Sequence, residues 1–252
     1  MHRFYLPPHQ CREAQVQLSE RDGKHAVKVL RLREQDRFSV LDGEGRDLHC
    51  QVESIERSTV RGRVLSVNTV PELHYQLTLI QAVTKGKSMD LIIQKATELG
   101  CRTIVPILSE RSVVQCDPEE ALSKQEKWQT LAIEAVKQCG QAWLPKIEKP
   151  AALDAFLAQR PGNPDRLPLL ASLQPGALHP RQHIDTFRSE KGEPKLVDIW
   201  IGPEGDFTPA EINTIKGSGA LPITLGPLIL RSDTAALYTL SVLNYELQSI
   251  PQ

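Results

Sequence analysis

The sequence predicts an α/β protein in two parts: a small β-barrel over residues 1–70, then a mostly parallel, helix-flanked sheet over residues 71–252. Three observations lead there. Up to about residue 70, Val, Ile and Thr recur at period two between glycine turns, as the short strands of a barrel require. Residues 71–75, Pro-Glu-Leu-His-Tyr, read as a linker. Beyond them, short apolar runs alternate with segments of helical period, the pattern of parallel strands joined by crossover helices.

In the first part, residues 38–42 form a strand that runs into the turn Gly43-Glu-Gly45, and residues 47–55 and 59–67 alternate as two more. One helix is expected over residues 25–32, with Ala26, Val27, Val29 and Leu32 on an apolar stripe and Lys28 and Arg31 pointing outward. In the second part, residues 76–83 are a strand. Residues 89–99 are a helix with Met89, Ile92, Ile93, Ala96 and Leu99 as its apolar positions and Gly100 as its stop. A strand at 103–108 precedes a long helix at 118–139, ended by Gly140. Residues 167–172 and 196–201 are buried strands, 209–216 a helix, 222–225 a last strand and 233–247 a last helix.

Composition narrows the function. No apolar run approaches the roughly 20 residues of a membrane helix, and the first residues lack the apolar core of a signal peptide, so a cytoplasmic protein is expected. The five cysteines are scattered, with no Cys-x-x-Cys pair, which argues against a disulfide framework or a zinc site. His179 and His183 have the spacing of a metal pair, but Pro-Arg-Gln between them holds no glutamate, and no metal is expected. The net charge of −1 does not favour nucleic acid, but its distribution matters more. Arg21, Lys24, Lys28, Arg31, Arg33 and Arg37 crowd one segment with His25, against Asp22, Glu34 and Asp36. This cluster is either a footprint for backbone phosphates or a solvated helix face.

Ligands of an open parallel sheet bind outside the carboxyl ends of its strands. Two such ends are rich in glycine and proline. Residues 197–201 run into Gly202-Pro-Glu-Gly-Asp-Phe207, after which Thr208, Pro209 and Glu211 open a helix with a capping box. Leu225 runs into Gly226-Pro-Leu-Ile-Leu-Arg-Ser-Asp-Thr234. One such loop is an ordinary tight connection, whereas two on successive strands of one sheet point to a ligand pocket. Other glycine-rich chemistries fail. Gly86-Lys87-Ser88 ends like a phosphate-binding loop, but the glycine required five positions before Gly86 is Gln81. No Gly-x-Gly-x-x-Gly follows a strand, and no Gly-x-Ser-x-Gly elbow is present.

At these residues the chain resembles the RsmE family of ribosomal RNA methyltransferases, in the knotted SPOUT superfamily. Ile201-Gly-Pro-Glu-Gly205 with Phe207 and Glu211 matches one family motif, and Leu225-Gly226 with Ile229-Leu-Arg231 and Thr234-Ala235 another. Lys85-Gly86, Met89-Asp90, Ile93-Gln-Lys-Ala-Thr-Glu-Leu-Gly100, Pro106 and Ser109-Glu-Arg-Ser-Val-Val114 match a third; Glu134-Ala135 with Gln138, Gly140 and Pro145 is fainter. Arg3-Phe4-Tyr5 and Val29-Leu-Arg-Leu32 resemble the family's amino-terminal PUA-like barrel. The chain departs from the family at Asp206, usually glycine, at Asp233, usually glutamate, and at Ser88 and Gln141, commonly arginine.

The resemblance implies a PUA-like β-barrel RNA-binding domain followed by a SPOUT α/β domain with a trefoil knot. It implies a homodimer that moves a methyl group from S-adenosylmethionine to N3 of a uridine near the decoding centre of small-subunit ribosomal RNA, in the 30S subunit. The donor falls to Ser172, Leu173, Ile201, Gly202, Pro203, Glu204, Gly205, Leu225, Gly226, Ile229, Leu230, Thr234 and Ala235. Arg231 stabilises the uridine anion or grips the nucleotide, or else braces the loop through Asp233 or Glu204. The N3 proton leaves to water or to a carboxylate such as Asp233. RNA backbone contacts fall to Arg3, Lys24, Lys28, Arg31, Arg33, Lys85, Lys87 and Arg111. Two other functions compete: a non-catalytic RNA-binding assembly factor, and a SPOUT enzyme aimed at another nucleotide. The intact loop glycines with Arg231 argue against the first, and the motifs at 89–100 and 109–114 against the second.

Overall fold

In the computed structural model, which describes residues 1–112, 116–160 and 162–248, the chain divides into two units. Residues 1–72 and 133–144 form the first, and residues 73–132 with 145–252 the second. Val113 and Val114 of the third motif lie outside the described residues.

The first unit is built on β1 (His2–Tyr5), β2 (Gln15–Gln17), helix α1 (Glu20–Lys28), β3 (Arg37–Leu41), β4 (Arg46–Glu56) and β5 (Thr59–Thr69). The strands pair in the order β1-β3-β4-β5-β2, with β1 parallel to β3 and the rest antiparallel. Their inward side chains form one core around Phe4, Phe38, Val40, Leu48, Val52 and Val60, with the Phe4 and Phe38 rings edge to face at 5.7 Å. Strands β4 and β5 run longer than the alternation suggests because two register shifts let the pairing continue past irregular residues.

The helix expected over residues 25–32 is displaced. α1 starts after Ser19, whose hydroxyl accepts the Asp22 amide, and carries Glu20 and Asp22 in its first turn. It ends before Val29, which is exposed, and Arg31 has a positive φ of 56° that no helix continues. The cap and the acidic first turn outweigh the apolar stripe.

The second unit contains β6 (Gln76–Ala82), α2 (Lys87–Glu98), β7 (Thr103–Leu108) and α3 (Pro118–Cys139), of which residues 133–139 count with the first unit. It continues with β8 (Lys146–Ile147), β9 (Ala151–Ala152), α4 (Leu153–Ala158), β10 (Arg166–Ala171) and α5 (Pro180–Lys191). β11 (Leu196–Ile201), α6 (Pro209–Gly217), β12 (Leu221–Ile223) and α7 (Ser232–Leu247) complete it. Every pairing described in this sheet is parallel, in the order β12-β10-β11-β6-β7-β8, with β9 also on β7. The central strands are near-continuous apolar runs, as a sheet covered on both faces demands. Among the described residues, no helix is long and apolar enough to cross a membrane.

Consecutive strands β10, β11 and β12 end side by side at the carboxyl edge, where their loops meet. β12 is shorter than residues 222–225: Thr224 and Leu225 already belong to its loop. α7 then returns from this outer strand to pack on α2, β11 and β6.

Candidate active site

The three loops enclose a cavity of about 640 Å³, within the range of small-molecule sites. All the residues assigned to the donor line it except Thr234, whose hydroxyl is turned to Asp233. Gln174, Pro175, Gly176, Asp206, Leu228 and Ser232 join the lining without having been expected. The wall is mostly loop backbone interspersed with apolar side chains, among them the exposed Leu173, Leu228 and Ile229. Such a wall suits a flat heteroaromatic ligand with polar edges, and the residues present therefore fit S-adenosylmethionine.

Each loop is fastened from its own sequence. After β10, Ser172 donates its amide to Ile223 and accepts the Gln174 amide on its hydroxyl, while Leu178 donates its amide to the Pro222 carbonyl and accepts the Thr224 amide, which seats this loop against β12. After β11, the Thr208–Glu211 capping box closes the loop onto α6. Glu211 is buried, and its other carboxylate oxygen accepts the Glu110 amide at 2.9 Å, so one side chain pins both the 202–207 loop and the loop after β7. Arg111 adds a bond from Nη1 to the Gly205 carbonyl at 2.8 Å.

Asp206 explains its own departure from glycine. It sits at φ 59°, in the left-handed region where glycine is the usual occupant. Aspartate tolerates that region better than most side chains, and here Oδ1 accepts the Phe207 amide at 2.8 Å, fixing the turn that glycine would leave loose.

The expected cations separate into engaged and free. Arg3 donates to the Gln138 carbonyl near the end of α3, and Lys24 pairs with Glu20. Within the 21–37 cluster, Arg21 pairs with Glu134, and Asp22 takes Lys137. Among the described residues, the side chains of Lys28, Arg31, Arg33, Lys85 and Lys87 make no hydrogen bond or ion pair, and all five are exposed. The same holds for Arg231, so neither Asp233 nor Glu204 braces it. Asp233 is engaged elsewhere, accepting Ser88 Oγ at 3.2 Å and the Thr234 amide at 2.6 Å.

Burial pushes the thiols of Cys50 and Cys101 up to about 12 and that of Cys11 to about 11, which keeps them protonated at neutral pH. Among the described residues, no group of three or more His, Cys, Asp and Glu side chains is placed to hold a metal ion. His179 caps α5, and His183 contacts the Pro222 carbonyl. A smaller cavity of about 340 Å³ includes the amino-terminal residues of β10 in its lining. Its buried Asp198 is taken by Arg160 at 2.6 and 2.9 Å and by Arg166 at 3.4 Å, so its charges largely satisfy one another.

Comparison with known proteins agrees with this geometry. Residues 71–244 match the RNA methyltransferase domain family, and residues 18–65 the RNA methyltransferase PUA domain family. The ribosomal RNA small subunit methyltransferase E of Bacillus subtilis is 30% identical over 98% of this chain and 97% of its own. That of Aquifex aeolicus is 32% identical over 96% and 99%. Among solved structures, the ribosomal RNA small subunit methyltransferase E of Neisseria gonorrhoeae bound to S-adenosylmethionine superposes with a TM-score of 0.84, at 28% identity over 98% of both chains. A Legionella pneumophila chain in complex with the bound cofactor S-adenosylmethionine gives 0.85, at 31% identity over 97% of both.

Proposed function

The chain belongs to the RNA methyltransferase family, among the small subunit methyltransferase E proteins, and on that premise we propose that it methylates N3 of a uridine near the decoding centre of small-subunit ribosomal RNA. It is an S-adenosylmethionine-dependent ribosomal RNA methyltransferase. The observation that carries the finer reading is the convergence of three strand ends on one backbone-walled cavity, with the unpaired Arg231 in the last of the three loops.

The donor supplies a methyl group on a sulfonium, already activated, so the protein's task is alignment. Fixing nucleophile and methyl in line is worth roughly 7–11 kcal/mol of the barrier. The loop backbones of Ile201, Gly202, Leu225 and Leu230 hold the heterocycle by its edges. Glu204 makes no side-chain bond among the described residues and lies exposed on the cavity wall, which leaves its carboxylate to the donor's polar end. Arg231 stabilises the uridine anion as the N3 proton departs. Both oxygens of Asp233 already accept hydrogen bonds, which favours water as the proton acceptor.

The trefoil knot is part of the proposal. What supports it is the path of the chain: β12 lies beyond β10, and α7 returns from it to β11 and β6, so the connection passes the loop that follows β10. The homodimer is proposed too, supported by Leu91, Tyr238 and Tyr245, which α2 and α7 leave exposed. The site of action is the cytoplasm, where small subunits are assembled.

Small subunits from a strain lacking this gene, incubated with the protein and S-adenosylmethionine, are expected to gain one primer-extension stop at a uridine, because an N3 methyl blocks base pairing. Methyl incorporation on a ribose or a guanine would overturn the uridine assignment. No incorporation at all would favour the non-catalytic factor.

Lys28, Arg31 and Arg33 are the proposed phosphate contacts of the first unit. Changing all three to Ala is expected to lower the salt slope of RNA binding by about 2, at roughly 0.7–0.9 per phosphate contact. Lys24→Ala, which removes a cation already paired with Glu20, serves as the near-neutral control. An unchanged slope in the triple variant would move the RNA footprint elsewhere.

A further inference from the structure

We propose that Gln81 and Ser232 form a positioning relay that orients the Gly202 carbonyl, and through it the first loop of the donor cavity. This rests on the donor-site reading above. Gln81 is completely buried at the end of β6 and stands beside Ile201, the last residue of β11. Its Nε2 donates to the Ala82 carbonyl and to Ser232 Oγ, both at 2.9 Å. Ser232 Oγ in turn donates to the Gly202 carbonyl at 2.6 Å.

The direction of every proton follows from these partners. A carbonyl only accepts, so the Ser232 hydroxyl hydrogen points at Gly202 and presents a lone pair to Gln81. Ala82 also offers only a carbonyl, so the NH₂ half of the Gln81 amide must face this side. The relay joins the end of β6, the loop after β11 and the first turn of α7. Gly202 and Ser232 line the cavity, while Gln81 is absent from its lining and supports Ser232 from outside it.

Stability alone gives no reason for an amide here. Leu77, Leu79, Ile80 and Ala82, which share β6 with it, are buried and apolar. The other half of the amide, Gln81 Oε1, is buried and has no partner among the described residues. An apolar side chain of similar size would avoid that uncompensated acceptor. What the amide contributes is a fixed Ser232 hydroxyl, and hence a fixed Gly202 carbonyl where the chain turns from strand into loop. The position that lacks a phosphate-loop glycine thus serves the donor site from behind.

The relay is tested with Ser232→Ala, Ser232→Thr and Gln81→Met. Calorimetry with S-adenosylhomocysteine reads affinity without turnover, and thermal melting reports folding. Ser232→Ala and Gln81→Met are expected to weaken binding about tenfold and to raise the donor KM by the same factor. The RNA KM should stay within about twofold, because the relay acts on the donor loop only. Ser232→Thr keeps the hydroxyl and should restore affinity to within about threefold of the wild type. Should Gln81→Met fail to fold, the two serine variants decide the matter. Wild-type affinity in a folded Ser232→Ala protein would overturn the relay, as would a Ser232→Thr protein no better than Ser232→Ala. A wild-type protein that binds no S-adenosylhomocysteine would overturn the donor-site reading first, and the relay with it.

Discussion

Gly202→Val is expected to abolish S-adenosylmethionine binding, with a loss of at least about a hundredfold. A Cβ built at Gly202 would stand 3.0 Å from Asp206 Oδ1, 3.2 Å from the Phe207 amide nitrogen and 3.3 Å from Phe207 Cδ2. None of these neighbours is free to give way. Asp206 Oδ1 is committed to the Phe207 amide, and Phe207 is a buried member of the core beneath the sheet. Valine adds two methyl groups beyond that Cβ, so the loop itself must move, and it moves at the carbonyl held by Ser232. Gly205 is the control. A Cβ there meets only Arg111 Cδ, at 3.8 Å, an ordinary contact, and Gly205 has no positive φ. Gly205→Ala should therefore leave the loop's fold and the melting temperature unchanged. Titration calorimetry on both variants, with melting curves to confirm folding, checks the pair. Full binding by a folded Gly202→Val protein would remove the donor from this cavity.

That contrast between two glycines of one motif marks how far the sequence was legible. The loops themselves could be read, because glycine and proline at successive strand ends have few other uses, and the Thr208 capping box was plain in the residues. Which glycine is sterically required was not, since the answer lies in the distance to Phe207 after folding. The long elements α2, α3, α6 and α7 announced themselves by period and caps. α5 did not: Pro180 and the His179–Gln182 capping box signal its start, but only Pro180, Ile184 and Phe187 are buried along it, too sparse a stripe to stand out. α1 starts five residues before the apolar stripe at 25–32, at a Ser19 cap that hydrophobic period alone does not mark. The edge strands β1 and β2 are too short for alternation to register. The relay lay furthest from view. Gln81 and Ser232 are 151 positions apart, and only the return of α7 over β6 brings them together.

Arg231→Ala is expected to lower kcat by roughly a hundredfold or more while changing donor affinity less than about threefold. Arg231 is the N-cap residue of α7, with φ −64° and ψ 154°, and its side chain supplies no cap bond. It is exposed, and among the described residues its guanidinium has no partner. Neighbouring Leu230 and Ser232 line the cavity, but Arg231 does not. A cation at a helix N-terminus opposes the helix dipole at a cost of about 0.3–1 kcal/mol unless an anion answers it. Arg231 is therefore poorly explained as a structural residue: its removal should leave the melting temperature unchanged or slightly raised. The same placement suits a transient anion. The guanidinium and the positive end of α7 would act together on negative charge at the uridine ring, and that charge exists only while the N3 proton is leaving. Single-turnover kinetics with saturating donor and RNA would isolate this step, and Arg231→Lys should recover part of the rate by keeping the charge without the planar fork. A parallel loss of kcat and donor affinity, or a lower melting temperature, would instead make Arg231 a brace for the loop.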